Sequence, residues 1–303
     1  MKNALIAGGT GLIGTRLSQL LTERGYGVAH LSRKSSPKAT FPTFSWDPSR
    51  RQIDPEALQN VSVLINLAGA GIADGRWTDR RKELIIRSRV ESTLFLKETI
   101  EGSAGQIDTY LCTSAIGYYG SRGDEWLTED SKPGKGFLPQ STQQWEKAID
   151  EVRTTGVRTV AFRTGIVLST HGGALEKILL PARAGAGTYF GDGRQWYSWI
   201  HIDDLCRLFI YAMEQEALAG TYNAVAPQPV TNRGLMEALQ EVSGRWMALF
   251  PVPAFSLRLI FGEMADTILD STRVAAGKVQ KAGFPFQYPE VKGALADLLE
   301  RKA

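Results

Sequence analysis

Three glycines, Gly8, Gly11 and Gly14, recur at every third position of NALIAGGTGLIG, the segment that begins at Asn3. An apolar run precedes them and a stretch with helical spacing follows. Glycines at such a junction let the chain turn sharply and let a phosphate approach the backbone with no Cβ in the way. A helix starting near Leu12 aims the free amides of Leu12 and Ile13, and the positive end of its dipole, at that phosphate. Thr10 adds a hydroxyl donor. A glycine pattern alone is weak; set between strand and helix it predicts a dinucleotide site.

The end of the next apolar run chooses the dinucleotide. An NAD site usually places an acid there to hold the ribose 2′-hydroxyl. Here stand Ser32, Arg33 and Lys34, with no acid. A guanidinium at Arg33 can bind a 2′-phosphate through paired hydrogen bonds and stack on adenine, and Ser32 can add another bond. The expected cofactor is therefore NADP(H). A third piece, Asn66-Leu67-Ala68-Gly69, closes an apolar run. Its small residues let Leu67, Ala68 and Gly69 pass close to a cofactor ribose.

These residues need a particular scaffold. Asn3–Ala7, Gly27–Leu31, Val61–Leu67, Thr109–Thr113 and Arg158–Arg163 read as strands. Thr15–Arg24, Arg80–Ile100 and Gln140–Arg153 read as helices between them. Strand–helix alternation implies an α/β fold: a Rossmann-type doubly wound parallel sheet with a smaller, mostly helical C-terminal substrate lobe. The expected division is a dinucleotide-binding domain over 1–170, with 196–225 returning to it. The small lobe takes 171–195 and 226–303.

Composition narrows the class. The chain has 303 residues, 43% apolar and 22% charged, with a formal charge of +3 and no long basic run. That is an ordinary globular balance, with no nucleic-acid footprint expected. No stretch is long and apolar enough for a membrane span, so no membrane partner is expected and a cytoplasmic location is. Cys112 and Cys206 sit in apolar runs without metal or redox spacing, and the three histidines are scattered, so no metal site is expected. A homodimer is allowed for.

Taken together the motifs resemble those of the extended short-chain dehydrogenase/reductases, in the atypical branch of epimerase family, or sugar-nucleotide epimerase-like, proteins. They are GGTGLIG, SRK, NLAGAGI, SRVEST (Ser88–Thr93), TSAIGYYG (Thr113–Gly120), WE (Trp145–Glu146), RTGIVL (Arg163–Leu168), GDGRQWYSWIHIDD (Gly191–Asp204) and GFPFQYP (Gly283–Pro289). The resemblance implies further cofactor contacts. Arg89 falls near the nicotinamide side, Glu83 near the adenosine end or orienting Arg89, and Val167 near the carboxamide.

The same resemblance exposes a gap. Members of the superfamily move the proton with Tyr-x-x-x-Lys, the lysine lowering the tyrosine pKa. Counted back from Arg163, those positions fall near Phe137 and Ser141, which carry neither a phenol nor a charge. The upstream Ser/Thr position falls on Ala115, with Ser114 adjacent and within reach of the cofactor. Ser114, Tyr118 and Tyr119 are the candidate catalytic residues. Where nucleotide-sugar enzymes carry a phosphate-gripping Arg, this chain has Tyr197, which argues against a nucleotide-sugar substrate. Trp196, Tyr197 and Trp199 instead suit an apolar pocket, or the core between lobes. Asp203 and Asp204 suit a helix cap, with His201 bracing the lobes.

Two functions remain open on these grounds. One is an NADP(H)-dependent oxidoreductase or epimerase-like enzyme acting on a small molecule with unusual proton chemistry. The other is a non-catalytic NADP(H)-sensing protein.

Overall fold

Val63–Asn66 reads VLIN and is buried at every position, as a strand covered on both faces must be. It lies near the middle of an eight-stranded sheet in the computed structural model, which describes residues 3–33, 39–103 and 105–300. The strands are β1 (Asn3–Ala7), β2 (Gly27–Ser32), β3 (Thr43–Asp47), β4 (Gln52–Ile53), β5 (Val63–Asn66), β6 (Thr109–Ala115), β7 (Arg158–Thr164) and β8 (Gly220–Ala224). Their spatial order is β8-β7-β6-β5-β1-β2-β3-β4. Every neighbouring pair is parallel except β3–β4, which is antiparallel. The chain therefore reverses its direction of travel across the sheet between β1 and β5, where open α/β sheets hold ligands.

Alternation along the strands builds two cores. Ile6 and Ile65 face one side with Leu17 and Leu21 of α1 (Leu12–Glu23). Leu5 and Leu64 face the other with Phe95 and Leu96 of α2 (Asp79–Gly102) and Ile149 of α3 (Phe137–Arg153). The first core continues through α5 (Ile202–Glu214), whose Leu205 and Phe209 are fully buried. Each such side chain contributes about 1.5–3 kcal/mol on burial. The bidentate Arg16–Asp203 pair, at 2.7 and 3.0 Å, ties α1 to α5.

Beyond the sheet lie α4 (Gly173–Arg183), α6 (Asn232–Ser243), α7 (Ala254–Phe261), α8 (Met264–Leu269), α9 (Gly277–Lys281) and α10 (Val291–Glu300). Short paired strands stitch them together. Ala186–Phe190 pairs with Ala248–Val252, Trp199–His201 with Ile166–Leu168, and Arg273–Val274 with Trp126–Leu127. Leu235, Leu239, Leu295 and Leu298 belong to the same apolar cluster as Ile6, so the C-terminal helices share the sheet's core. Among the described residues no helix is long and apolar enough to cross a membrane.

Three local details go beyond the expectations, decide between them or correct them. The strands β3 and β4 had no counterpart in the sequence reading. Of the two places expected for Trp199, pocket or core, it takes the core: it is 1% exposed, and its Nε1 donates to the Gln228 carbonyl at 3.0 Å. The cap of α5 is His201, not Asp203 or Asp204; its Nδ1 accepts from the Asp203 amide at 3.0 Å. Its Nε2 meets Asp297 at 3.1 Å and its ring stacks on Tyr288, 3.9 Å between centroids. His201 thereby holds the C-terminal helix against α5. Asp204 instead accepts the amides of Gln287 and Tyr288.

Candidate functional site

Register brings the cofactor candidates to one edge. Ala7 pairs with Leu31 on one side and Asn66 on the other, so Gly8–Gly11, Ser32–Arg33 and Leu67–Gly69 all emerge at the same level. Gly8 has φ +80, and a Cβ on it would lie 2.8 Å from the Leu67 carbonyl carbon. The turn thus rests on the backbone after β5. Gly14 is glycine for packing: a Cβ would sit 2.4 Å from the Gly8 carbonyl oxygen. At Gly11 the nearest atom to an added Cβ is 3.3 Å away, and Thr10 and Gly11 are exposed. Gly11 is the N-cap of α1 and no side chain caps that helix. The amides of Leu12 and Ile13 open the first turn, where a helix has no carbonyl of its own to offer. This donor set fits a pyrophosphate.

A second reason for the glycines went unread in the sequence. Gly9 covers the ring of His30; a Cβ would lie 2.3 Å from it. His30 is buried on β2 and bonded to Ser18 of α1 at 2.7 Å, and burial lowers its pKa. The ring props the turn from below. Arg33 is exposed just past the end of β2, and Lys34 lies outside the described residues.

The loop after β5 is held by Asn66. Its Oδ1 accepts from the Ala68 amide at 3.1 Å, while Nδ2 donates to Tyr110 at 3.0 Å and Thr93 at 3.3 Å. Ser88 of α2 receives the Ala70 amide. Arg89 packs against Gly69, where a Cβ would meet the guanidinium carbon at 3.2 Å, and lies 5.2 Å from the Trp145 ring. Burial, with Arg81 nearby, brings its pKa down to about 10, so it stays charged at neutral pH. Glu83 does not join it. Six residues of helix place the two about 240° apart around the axis, and Glu83 lies exposed beside Arg87 at 3.7 Å. Of the two placements expected for Glu83, the one that orients Arg89 is therefore corrected. Val167 pairs with Ile200 beside the crossing at Gly165, and its neighbour Ile166 lines the cleft.

That cleft opens beyond β6 and β7. An inner cavity of about 190 Å³ is walled by Ile116, Leu138, Trp145, Trp196 and Tyr197, with Arg89 at one side. It adjoins an outer one of about 680 Å³ that reaches Arg122 and Lys135; Leu138, Thr267 and Asp270 line both. On α3 the positions that line the inner cavity are Leu138, Ser141, Thr142 and Trp145. Two i, i+4 pairs lie among them, Leu138 with Thr142 and Ser141 with Trp145, one and four residues beyond the Phe137 and Ser141 expected. Phe137 packs edge-on against Trp77, 4.8 Å between centroids, near the mouth. Neither pair supplies a phenol beside an ammonium.

The catalytic candidates lie behind the cavity wall. Ser114 is 2% exposed and donates to Glu146 at 2.6 Å. Glu146 takes a bidentate pair from Arg163, at 2.8 and 2.7 Å. Arg163 also donates to the Tyr119 hydroxyl at 3.0 Å, and its guanidinium covers the Tyr118 ring at 3.6 Å. Tyr119 is fully buried, donates to Asn223 at 2.7 Å, and burial pushes its pKa up to about 12. Of the two candidate phenols, Tyr119 is thus the one packed with its hydroxyl satisfied, engaged on both sides. Ser114, Tyr118 and Tyr119 form a buttress around Arg163, and none of the three lines the inner cavity. One residue lining both cavities that the sequence expectations did not name is Asp270, in the mostly helical C-terminal part. Among the described residues, no three His, Cys, Asp or Glu side chains converge as metal ligands do.

Comparison with known proteins agrees with this geometry. Residues 4–224 match the model of the NAD dependent epimerase/dehydratase family, and residues 252–298 match a domain of unknown function, DUF1731. Epimerase family protein SSP1921 of Staphylococcus saprophyticus is 35% identical, covering 99% of this chain and all of its own. The crystal structure of human epimerase family protein SDR39U1 (isoform 2) with NADPH superposes with TM-score 0.87 at 31% identity, over 98% of this chain and 99% of that one. A nucleoside-diphosphate sugar epimerase from Corynebacterium glutamicum gives 0.79 at 34% identity, over 98% of this chain and 58% of that longer one.

Proposed function

We propose, since this chain belongs to the NAD dependent epimerase/dehydratase family, that it binds NADP(H) and acts as an oxidoreductase or epimerase-like enzyme on a small neutral carbonyl or hydroxyl compound. The observation that carries the cofactor choice is Arg33, standing level with the Gly8–Gly11 turn where an NAD site would place an acid. The NADPH in the human relative supports it. The amides of Leu12 and Ile13 and the Thr10 hydroxyl would hold the pyrophosphate. Ser32 and Arg33 would hold the 2′-phosphate, and Leu67–Gly69 would flank a ribose. The bound cofactor supplies or accepts a hydride. Arg89 offers a fixed positive charge at the cavity wall, and the aromatic lining excludes water. The inner cavity of about 190 Å³, with its largely apolar wall, supports a compact substrate.

Calorimetry on Arg33→Ala tests the cofactor assignment. Charge-assisted bonds contribute about 1.5–3 kcal/mol each, so NADPH affinity should fall roughly 10- to 100-fold while NADH affinity moves little. Equal losses for both dinucleotides refute it. The sensing alternative is favoured by one observation: the α3 residues lining the inner cavity, Leu138, Ser141, Thr142 and Trp145, include neither a phenol nor an ammonium.

A further inference from the structure

Three titratable side chains line the inner cavity: Arg89, Tyr197 and Asp270. The first is a guanidinium and keeps its proton. Tyr197 spends its hydroxyl on the Ile268 carbonyl at 2.7 Å, and burial raises its pKa further. Asp270 differs from both. It follows the last residue of α8, where its own amide closes on the Asp266 carbonyl at 2.7 Å. It is half-buried at the junction of the inner and outer cavities, and among the described residues none hydrogen-bonds its carboxyl. Two polar atoms of the same lining are also left without partners, Thr267 Oγ1 and Trp145 Nε1. Those two atoms lie out of solvent's reach, whereas the unengaged Asp270 carboxyl, lining both cavities, is open to a ligand's hydroxyl or carbonyl oxygen.

We propose that Asp270 is the catalytic acid and base of the cleft, taking the place of the absent tyrosine–lysine pair toward a small carbonyl or hydroxyl compound. The proposal rests on the dinucleotide reading above. In the reducing direction the O–H bond of the Asp270 carboxyl breaks and a new O–H bond forms on the substrate's carbonyl oxygen. The electron pair enters at the carbonyl carbon as hydride from a reduced nicotinamide dinucleotide, and Asp270 is left as carboxylate. In the oxidising direction the carboxylate takes the hydroxyl proton while the C–H bond at the carbinol carbon breaks and its hydride passes to an oxidised nicotinamide dinucleotide. The group is poised for both, because burial, with Asp266 nearby, raises its pKa to about 6. The other charges around it are committed elsewhere: Asp266 to Arg258 of α7, Glu263 to Lys82 of α2, and Arg122 to Glu125. Lys135 lies at the outer mouth and Arg89 at the inner wall.

Asp270→Asn keeps the shape and removes the proton. Three readouts on the full chain decide the matter. Carboxyl ¹³C NMR of the cofactor-free protein should show one aspartate titrating near pH 6 that vanishes in the variant; titration of Asp270 near pH 4 overturns the proposal. Calorimetry should give NADPH affinity within about twofold of wild type. NADPH oxidation with benzaldehyde and cyclohexanone as probes should fall about 100-fold or more in kcat, the range of general acid–base effects, with the limb near pH 6 lost. Asp270→Glu should recover part of it. If wild type binds NADPH but reduces neither probe, or Asp270→Asn matches it in rate and pH profile, the proposal falls alone. If wild type takes up no NADPH, the dinucleotide reading falls and carries the proposal with it.

Discussion

Replacing Glu146 by alanine leaves the Arg163 guanidinium, only 6% exposed, without its counter-ion. Both Glu146 oxygens are committed, to Arg163 Nε and Nη2 and to Ser114 Oγ. Removing one partner of a buried ion pair costs about 3–5 kcal/mol, because the remaining charge stays buried and unpaired. Unfolding entropy near the midpoint is about 2.1 cal/mol/K per residue, so over 303 residues each kcal/mol moves Tm by roughly 1.6 °C. The expected loss is roughly 5–8 °C by circular dichroism or calorimetry. The double variant Glu146→Ala with Arg163→Met should recover part of that loss, since the stranded charge is gone. A single-variant shift under about 2 °C, or a double variant worse than both singles combined, refutes the buttress built around Arg163.

Other substitutions probe other parts of the account. Gly9→Ala should lower both stability and NADPH affinity, because its Cβ would fall 2.3 Å from the buried His30 ring; overpacking of this kind costs about 1–3 kcal/mol, and an unchanged Tm contradicts it. Tyr119→Phe should destabilise the protein by about 1–3 kcal/mol through the lost bonds to Asn223 and Arg163, with NADPH affinity unchanged by calorimetry. Asp270→Asn should be more stable than wild type at pH 8 and equal to it near pH 3.5. The folded carboxyl titrates at about 6 against 3.8 for the free group, so the folded state holds the extra proton and loses stability as pH rises through that window. Discounted for solvent screening, the gain is about 1 kcal/mol; denaturant midpoints at the two pH values would read it.

The dinucleotide half of the site was legible because its signal is local. Gly8, Gly11 and Gly14 serve one turn, and Arg33 follows the very next strand, so spacing along the chain stands in for distance. Where partners lie far apart in sequence, legibility failed. His30 explains Gly9 only once β2 lies beside β1. Helix α3 begins at Phe137, three residues before the sequence suggested, because Gly136 at φ +105 enters it and Pro139 is tolerated in the first turn. Leu138, Ser141, Thr142 and Trp145 of that helix line the inner cavity, and Phe137 does not. The strands β3 and β4 went unread because they are short, lie at the sheet edge and bury little beyond Trp46. Asp270 carries no local signal at all. It is one acid in a broken helical stretch, brought to the cleft only by the packing of α8.

A crystal structure grown with NADPH examines the cofactor site most directly. The account predicts pyrophosphate oxygens on the amides of Leu12 and Ile13, the 2′-phosphate beside Arg33, and the nicotinamide end directed to the cavity beside Arg89. A dinucleotide lodged elsewhere, or density at the Gly8–Gly14 turn with the 2′-phosphate turned away from Arg33, would contradict it.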